Sequence, residues 1–266
     1  MNLVNLQGEK IKEINLPNQF NENYHPNLIY RAVITLQSNK RQRYGAFELA
    51  GKQASAELSR RRRDYKTAYG HGISRAPRKT LWHRGSQFGW VGAVAPGTVG
   101  GRRAHPPKAE KIWIKKINKK ERRKAIRSAL SASINKELVE LRNHKLPKLY
   151  PIALESKFED LNKTKDILNV LINIDLKEEL ERVEERKVRG SKGRSRGRKY
   201  KNKIGPLIIV SSKCKLIENG KNLPGIDIVE VRKLNAELLA PGSLAGRLTI
   251  FTEKALEILE KEKLFM

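Results

Sequence analysis

Cysteine is almost missing from this 266-residue chain: Cys214 stands alone, which excludes an internal disulfide and a multi-cysteine zinc site. Long apolar runs are missing too. No stretch approaches the roughly 18 consecutive apolar residues of a membrane-spanning helix. The opening Met1-Asn-Leu-Val-Asn-Leu-Gln-Gly-Glu-Lys10 lacks the basic-then-apolar layout of a secretory signal. Acid is scarce, with 28 Asp and Glu against 56 Lys and Arg, a formal charge of +28. The expectation is a soluble intracellular protein that meets a polyanion. The basic segments carry neither a broadly apolar amphipathic helix nor a lipidation signal, which argues against a membrane as that polyanion.

The charge is unevenly placed. Lys40 to Lys108 holds 16 Lys or Arg and three acids, a local charge of +13. Arg186 to Lys203 holds ten Lys or Arg and no acid, a further +10, and the whole rest of the chain keeps only +5. That nearly balanced remainder is rich in Ile, Leu and Val and long enough for one ordinary core. The predicted organisation is a globular body bearing two basic appendages, a long loop within 40–108 and a basic tract at 186–203. The tract Arg189-Gly-Ser-Lys-Gly-Arg-Ser-Arg-Gly-Arg-Lys-Tyr200 has no apolar side chain before its last residue. Alone it is expected to be disordered and to order against a partner.

Patterning predicts two short strands within 3–16 and a helix entered at Pro26. From Tyr69 to Pro107, Gly and Pro argue for irregular extended backbone. A helix resumes at Asn118, where Asn118 with Glu121 resembles a capping box. Its far face, with Arg122, Arg123 and Arg127, continues the basic surface. Helical runs at 163–172 and 176–186 alternate with short apolar runs at Leu207–Ser211, Ile226–Val231 and Leu248–Phe251, and a last helix covers 252–261. Repeated βα units give the fold class: α/β, a mostly parallel sheet flanked by helices.

Catalytic readings fare badly. His71, His83 and His105 could supply an acid and a base, but they are spread along Gly-rich chain with nothing to place them rigidly. The five histidines show no ligand spacing, so no metal and no cofactor is expected. Gly70-His-Gly72-Ile-Ser-Arg75 begins like a dinucleotide loop but ends in Arg with no strand before it. Cys214, between Lys213 and Lys215, is either an activated thiol or an incidental residue beside a buried strand.

Nucleic-acid binding draws on several features at once. The 40–108 segment holds seven of the 16 aromatics, interleaved with arginines. Guanidinium forks bind phosphate and stack on bases, and exposed aromatics offer stacking platforms. Folded RNA is favoured over duplex DNA, because no recognition helix or zinc finger is present and extended chain suits RNA crevices. The expected RNA-contacting residues are Arg60, Arg61, Arg62, Arg63, Lys66, Arg75, Arg78, Lys79, Trp82, His83, Arg84, Trp90, Arg102, Arg103 and His105. In the second segment they are Lys192, Arg194, Arg196, Arg198 and Lys199. Folded back on itself, the loop spans at most about 110 Å at ~3.3 Å per residue.

The run Gly100-Gly-Arg-Arg-Ala-His-Pro-Pro-Lys108, with Asn118-Lys-Lys-Glu-Arg-Arg-Lys-Ala-Ile-Arg-Ser-Ala-Leu-Ser-Ala132, resembles the large-subunit ribosomal protein "L-four" family in its archaeal and eukaryotic form. So do Phe158-Glu-Asp-Leu161, Gly193–Tyr200, Asn235-Ala-Glu-Leu-Leu-Ala-Pro-Gly242 and Gly246-Arg-Leu-Thr-Ile-Phe-Thr-Glu253, in order along nearly the whole chain. The resemblance implies a non-catalytic constituent of the cytoplasmic ribosome, with an α/β domain seated on large-subunit ribosomal RNA. It further implies a globular domain from 1–44 and 108–266, with 186–203 within it, and a long extended loop over 45–107 that threads that RNA, supports its assembly and helps form the constriction of the nascent-peptide exit tunnel. Its neighbours there would be the "L twenty-two" family protein and the passing nascent peptide. The tip falls within about Tyr69–Val94, with Arg75, Arg78 and Arg84 as tip candidates.

Overall fold

The chain opens with strand β1 (Asn2–Val4), which turns back through Gly8 into β2 (Lys10–Glu13). Asn5 makes that turn: its Oδ1 accepts from the amides of Gln7 and Glu9 at 3.0 and 2.8 Å. Helix α1 (Pro26–Lys40) follows, with Pro in the first turn, where its missing N–H costs nothing. This computed structural model describes residues 1–49, 56, 59, 61–64, 67–85, 87–99 and 101–266. It comprises two units, one of Met1–Lys40 with Ile114–Met266, the other of Arg41–Trp113.

The second unit contains a hairpin of β3 (Arg78–Arg84) and β4 (Gln87–Gly92). The irregular backbone expected from Tyr69 onward is therefore interrupted by regular pairing. The residues that permit it are Gly85, which turns the chain at φ +54°, and the alternating Phe88 and Trp90. Half of residues 46–63 lie outside the described residues, and residues 41–47 are not helical.

The first unit resumes with α2 (Lys119–Ile134), α3 (Lys136–Leu141) and β5 (Ile152–Leu154). The expected capping box does not form. Asn118 makes no side-chain cap bond, and Glu121 reaches Arg31 on α1 instead. Helices α4 (Thr164–Asn173) and α5 (Lys177–Glu184) precede a narrow ribbon of β6 (Lys187–Val188) and β7 (Tyr200–Lys201). Then come β8 (Leu207–Val210), α6 (Lys215–Gly220), β9 (Asp227–Glu230), α7 (Ala236–Leu239), β10 (Thr249–Thr252) and α8 (Glu253–Lys261).

Six strands form one sheet in the order β2-β1-β5-β10-β8-β9, parallel throughout except where β2 meets β1. The apolar run at β8 is buried on both faces, because successive side chains point to opposite sides of a strand. Leu207 and Ile209 enter the core beneath α1, α2 and α8, whereas Ile208 and Val210 join α4 and α6 on the other side. Each such burial contributes roughly 1.5–3 kcal/mol.

One buried carboxylate gathers the carboxyl ends of three of the parallel strands. Glu159, in the turn after β5, accepts from the Ser211 amide and hydroxyl at 2.8 and 2.5 Å and from the Thr252 hydroxyl at 2.5 Å. All three residues are buried, so one carboxylate ties together the ends of β5, β8 and β10.

Candidate nucleic-acid interface

In the β3–β4 hairpin, alternation sorts the side chains by chemistry. Phe88 and Trp90, two residues apart on one face, stack with ring centres 5.5 Å apart and planes 5° from parallel. Trp90 donates from Nε1 to Thr80 at 3.1 Å, and His83 packs 6.2 Å from Phe88. Trp82 pairs with Gly89 across the hairpin and is 58% exposed, so its indole is an open stacking surface. Lys79 and Arg84 are exposed on the same hairpin. The Arg78 guanidinium lies 6.0 Å from the Trp90 ring and donates to the Ala76 carbonyl, and Arg75 sits 5.1 Å over Tyr69. Cations laid beside aromatic faces are held in place without losing their charge.

The three tip candidates divide between the two ends of the hairpin. Arg84 adjoins the turn at Gly85, while Arg75 and Arg78 lie where β3 begins. The length of β3 separates Arg78 from Arg84, about 20 Å at ~3.3 Å per residue.

Other expected contacts occupy turns. Arg61, Arg62 and Arg63 are exposed on a turn that Thr67 closes by donating to the Arg61 carbonyl at 2.8 Å, with Ser59 bonded to Asp64. Arg63 itself adopts φ +62°. Arg103 and His105 are exposed and Arg102 half-buried, whereas Arg60 and Lys66 lie outside the described residues.

The foot of this unit holds a residue that sequence reasoning passed over. Trp113 stacks on Tyr44 at 5.9 Å, with the Arg41 guanidinium 3.6 Å and the Lys111 ammonium 4.4 Å from its ring. The Ala46 amide donates to the Pro107 carbonyl at 3.0 Å, and Gly45 packs on Ala109 so closely that a Cβ would stand 2.5 Å from its amide nitrogen. The signal was present in Trp113 between Lys111 and Lys115, but no spacing rule links it to residues 41–45.

The basic tract takes the form of a two-stranded ribbon. β6 pairs with β7 through Lys187↔Lys201 and Val188↔Tyr200, and the Arg189 amide donates to Lys199 at 2.8 Å. At its end, turns bring the Arg196 and Arg198 amides to the Gly193 carbonyl. Lys192, Arg194, Arg196, Arg198 and Lys199 are all exposed.

On α2 the arginines part ways. Arg122 is exposed, but Arg127 donates to Glu22 and the Phe265 carbonyl at 2.9 and 2.6 Å, and Arg123 donates to the Met266 carbonyl. Arg127, half-buried, is thus engaged within the fold, while the Arg123 bond lies at the surface.

Two further groups of polar residues are buried. His144 donates from Nδ1 to Glu179 at 2.6 Å, and Arg182 grips the same carboxylate through Nε and Nη2 at 2.8 and 2.7 Å. Burial, with the nearby Arg182 and Arg142 charges, lowers the His144 imidazole despite the raising pull of Glu179. Burial would raise Glu179, yet Arg182, His144 and the Lys145 amide hold it below the ordinary carboxylate value. Arg247, 1% exposed, donates to the Gly205 and Leu238 carbonyls and to Asp227. Burial raises the Cys214 thiol, which opposes any activation by its lysine neighbours. Among the described residues, no three His, Cys, Asp or Glu side chains are grouped as a metal site would require.

Over residues 14–262 the chain matches the model described as "Ribosomal protein L4/L1 family". It is 50% identical to the large ribosomal subunit protein uL4 of Nanoarchaeum equitans, over 99% of this chain and 98% of that one. It is 43% identical to the uL4 proteins of Archaeoglobus fulgidus, covering 97% and 96% of the two chains, and of Methanocaldococcus jannaschii, covering 97% of each.

Proposed function

The chain belongs to the ribosomal protein L4/L1 family, and on that premise we propose that its two basic segments bind large-subunit ribosomal RNA and support its assembly. As a family member it is a structural component of the large subunit, located in the cytoplasmic ribosome, and not an enzyme. Its partners are therefore ribosomal RNA and other ribosomal proteins.

The finer reading has the 45–107 loop threading the RNA and its tip lining the constriction of the nascent-peptide exit tunnel, beside the "L twenty-two" family protein. The observation that carries RNA binding is the hairpin, which combines exposed Trp82 and Arg84 with the cation–aromatic pairs Arg75–Tyr69 and Arg78–Trp90. Stacking faces and guanidinium forks on one short ribbon suit unpaired bases and phosphates together.

Competition between a large-subunit RNA transcript and duplex DNA of equal length tests the binding. A strong RNA preference is expected, and equal affinity would overturn it. For the tunnel, photo-crosslinkers placed singly at Arg75, Arg78 and Arg84 in assembled subunits should capture a stalled nascent chain from at least one end of the hairpin. Capture at neither end would remove the tunnel reading and leave RNA binding standing.

A further inference from the structure

We propose that Glu179 is a positioning residue for RNA binding. Through Arg182 it fixes the foot of the β6–β7 ribbon, so that the ribbon's arginines meet a phosphodiester backbone already arrayed. The proposal rests on the reading of this ribbon as an RNA-binding segment.

The ribbon has no core of its own. Two strands of two residues each do not hold a hairpin in water, and residues 189–199 bring no apolar side chain. The bonds that tie it to the rest of the fold gather at its foot, where several converge on residues 203–205. Arg182 donates from Nη2 to the Ile204 carbonyl at 2.8 Å, and Arg247 donates from Nε to the next carbonyl, Gly205, at 2.9 Å. The Gly205 amide donates to Gly225 at 2.9 Å, and Lys203 pairs with Glu185 at 2.6 Å. Gly205 itself is wedged: a Cβ there would stand 2.9 Å from Val183 and 3.0 Å from the Gly225 carbonyl.

Glu179 determines where Arg182 points. Its two oxygens take both arms of the guanidinium, and they are themselves fixed by His144 at 2.6 Å and the Lys145 amide at 2.9 Å. The Glu179 and His144 side chains are 0% and 1% exposed, so this arrangement is shielded from water and salt. The ribbon leaves α5 just beyond Glu184 and returns to Arg182 of the same helix, a loop closed on its own origin. Between the two limbs no acid competes for the cations. A preformed ribbon avoids most of the ordering cost that a disordered basic tail meets on binding.

The test uses the full-length chain and a large-subunit RNA transcript, comparing Glu179→Gln with a triple variant, Arg194→Gln, Arg196→Gln and Arg198→Gln. Removing a carboxylate makes the protein more positive, so charge alone predicts unchanged or tighter binding for Glu179→Gln. The positioning role predicts binding weaker by about five- to tenfold, an unchanged salt slope, and faster amide exchange over 189–201. The triple variant should lose affinity and roughly two units of salt slope with ribbon exchange unchanged. Wild-type or tighter binding by Glu179→Gln would overturn the positioning role, while loss in the triple variant would leave the RNA reading intact. An unaffected triple variant would instead overturn the RNA reading of the ribbon, and the proposal with it. Should Glu179→Gln fail to fold, Gly205→Ala, which changes no charge, should loosen the same foot and weaken RNA binding, and wild-type affinity in that variant would be equally fatal.

Discussion

The indole of Trp82 lies over Gly89, its partner on the facing strand, so closely that a Cβ at position 89 would stand 2.2 Å from Nε1. The ring has its seat only because residue 89 has no side chain. Gly89→Ala should displace the exposed Trp82 ring and loosen the hairpin by about 0.2–1 kcal/mol, the worth of one cross-strand side-chain pair. Hydrogen exchange at the Thr80 and Trp90 amides should accelerate by up to about fivefold, and exchange at the wild-type rate would show that the indole is not held there.

Glu159 ties three strand ends together, so Glu159→Ala should be among the more damaging single changes in the sheet. It orphans the Ser211 amide and two buried hydroxyls, an expected loss of about 2–4 kcal/mol. Urea denaturation measures this, and a loss under about 1 kcal/mol would mean that the bonds are made instead to water.

Stability should fall as the solution is acidified. His144 and Glu179 both bind protons less readily folded than unfolded, so each contributes stability above its ordinary value and loses it as pH falls. The loss begins near 6.5 for the imidazole and near 4.5 for the carboxyl. The urea midpoint should decline from neutral pH downward, and His144→Gln should flatten the upper part of that decline. A midpoint that rises between about pH 7 and 5 would reverse the sign.

Arg127 and Arg122 should separate folding from RNA binding. Arg127→Gln removes bonds to Glu22 and the Phe265 carbonyl and should cost about 1–3 kcal/mol. Arg122→Gln should leave the denaturation midpoint in place and weaken RNA affinity at every salt concentration. Equal effects of the two on stability would show that helix position does not decide their roles.

The sheet was legible in the sequence because its strands are short apolar runs bounded by Gly, Pro and polar residues. Leu207–Val210 and Thr249–Thr252 are fixed by burial on both faces and need no partner in the sequence to be seen. The basic segments were legible as charge but not as structure. The ribbon owes its order to Arg182, Arg247 and Gly225, none of which belongs to it. Long-range polar clusters were invisible for the same reason: His144 and Glu179 are 35 residues apart, and neither residue's surroundings announce the other. At Asn118 a local pattern misled, because Glu121 found a cation on a neighbouring helix. The hairpin could have been found from Phe88 and Trp90 at alternate positions behind Gly85-Ser86, a turn signal masked by the glycines around it.

The bond from Ala46 to Pro107 gives the protein an unusual freedom. The chain between them departs from and returns to one point. Closing a loop twice as long costs only about 0.6 kcal/mol more. Residues can thus be added to or trimmed from the excursion while Tyr44, Trp113 and the cations around them keep the neck shut. The length of this segment and the contact that closes it are thus separate quantities, and one can change without the other.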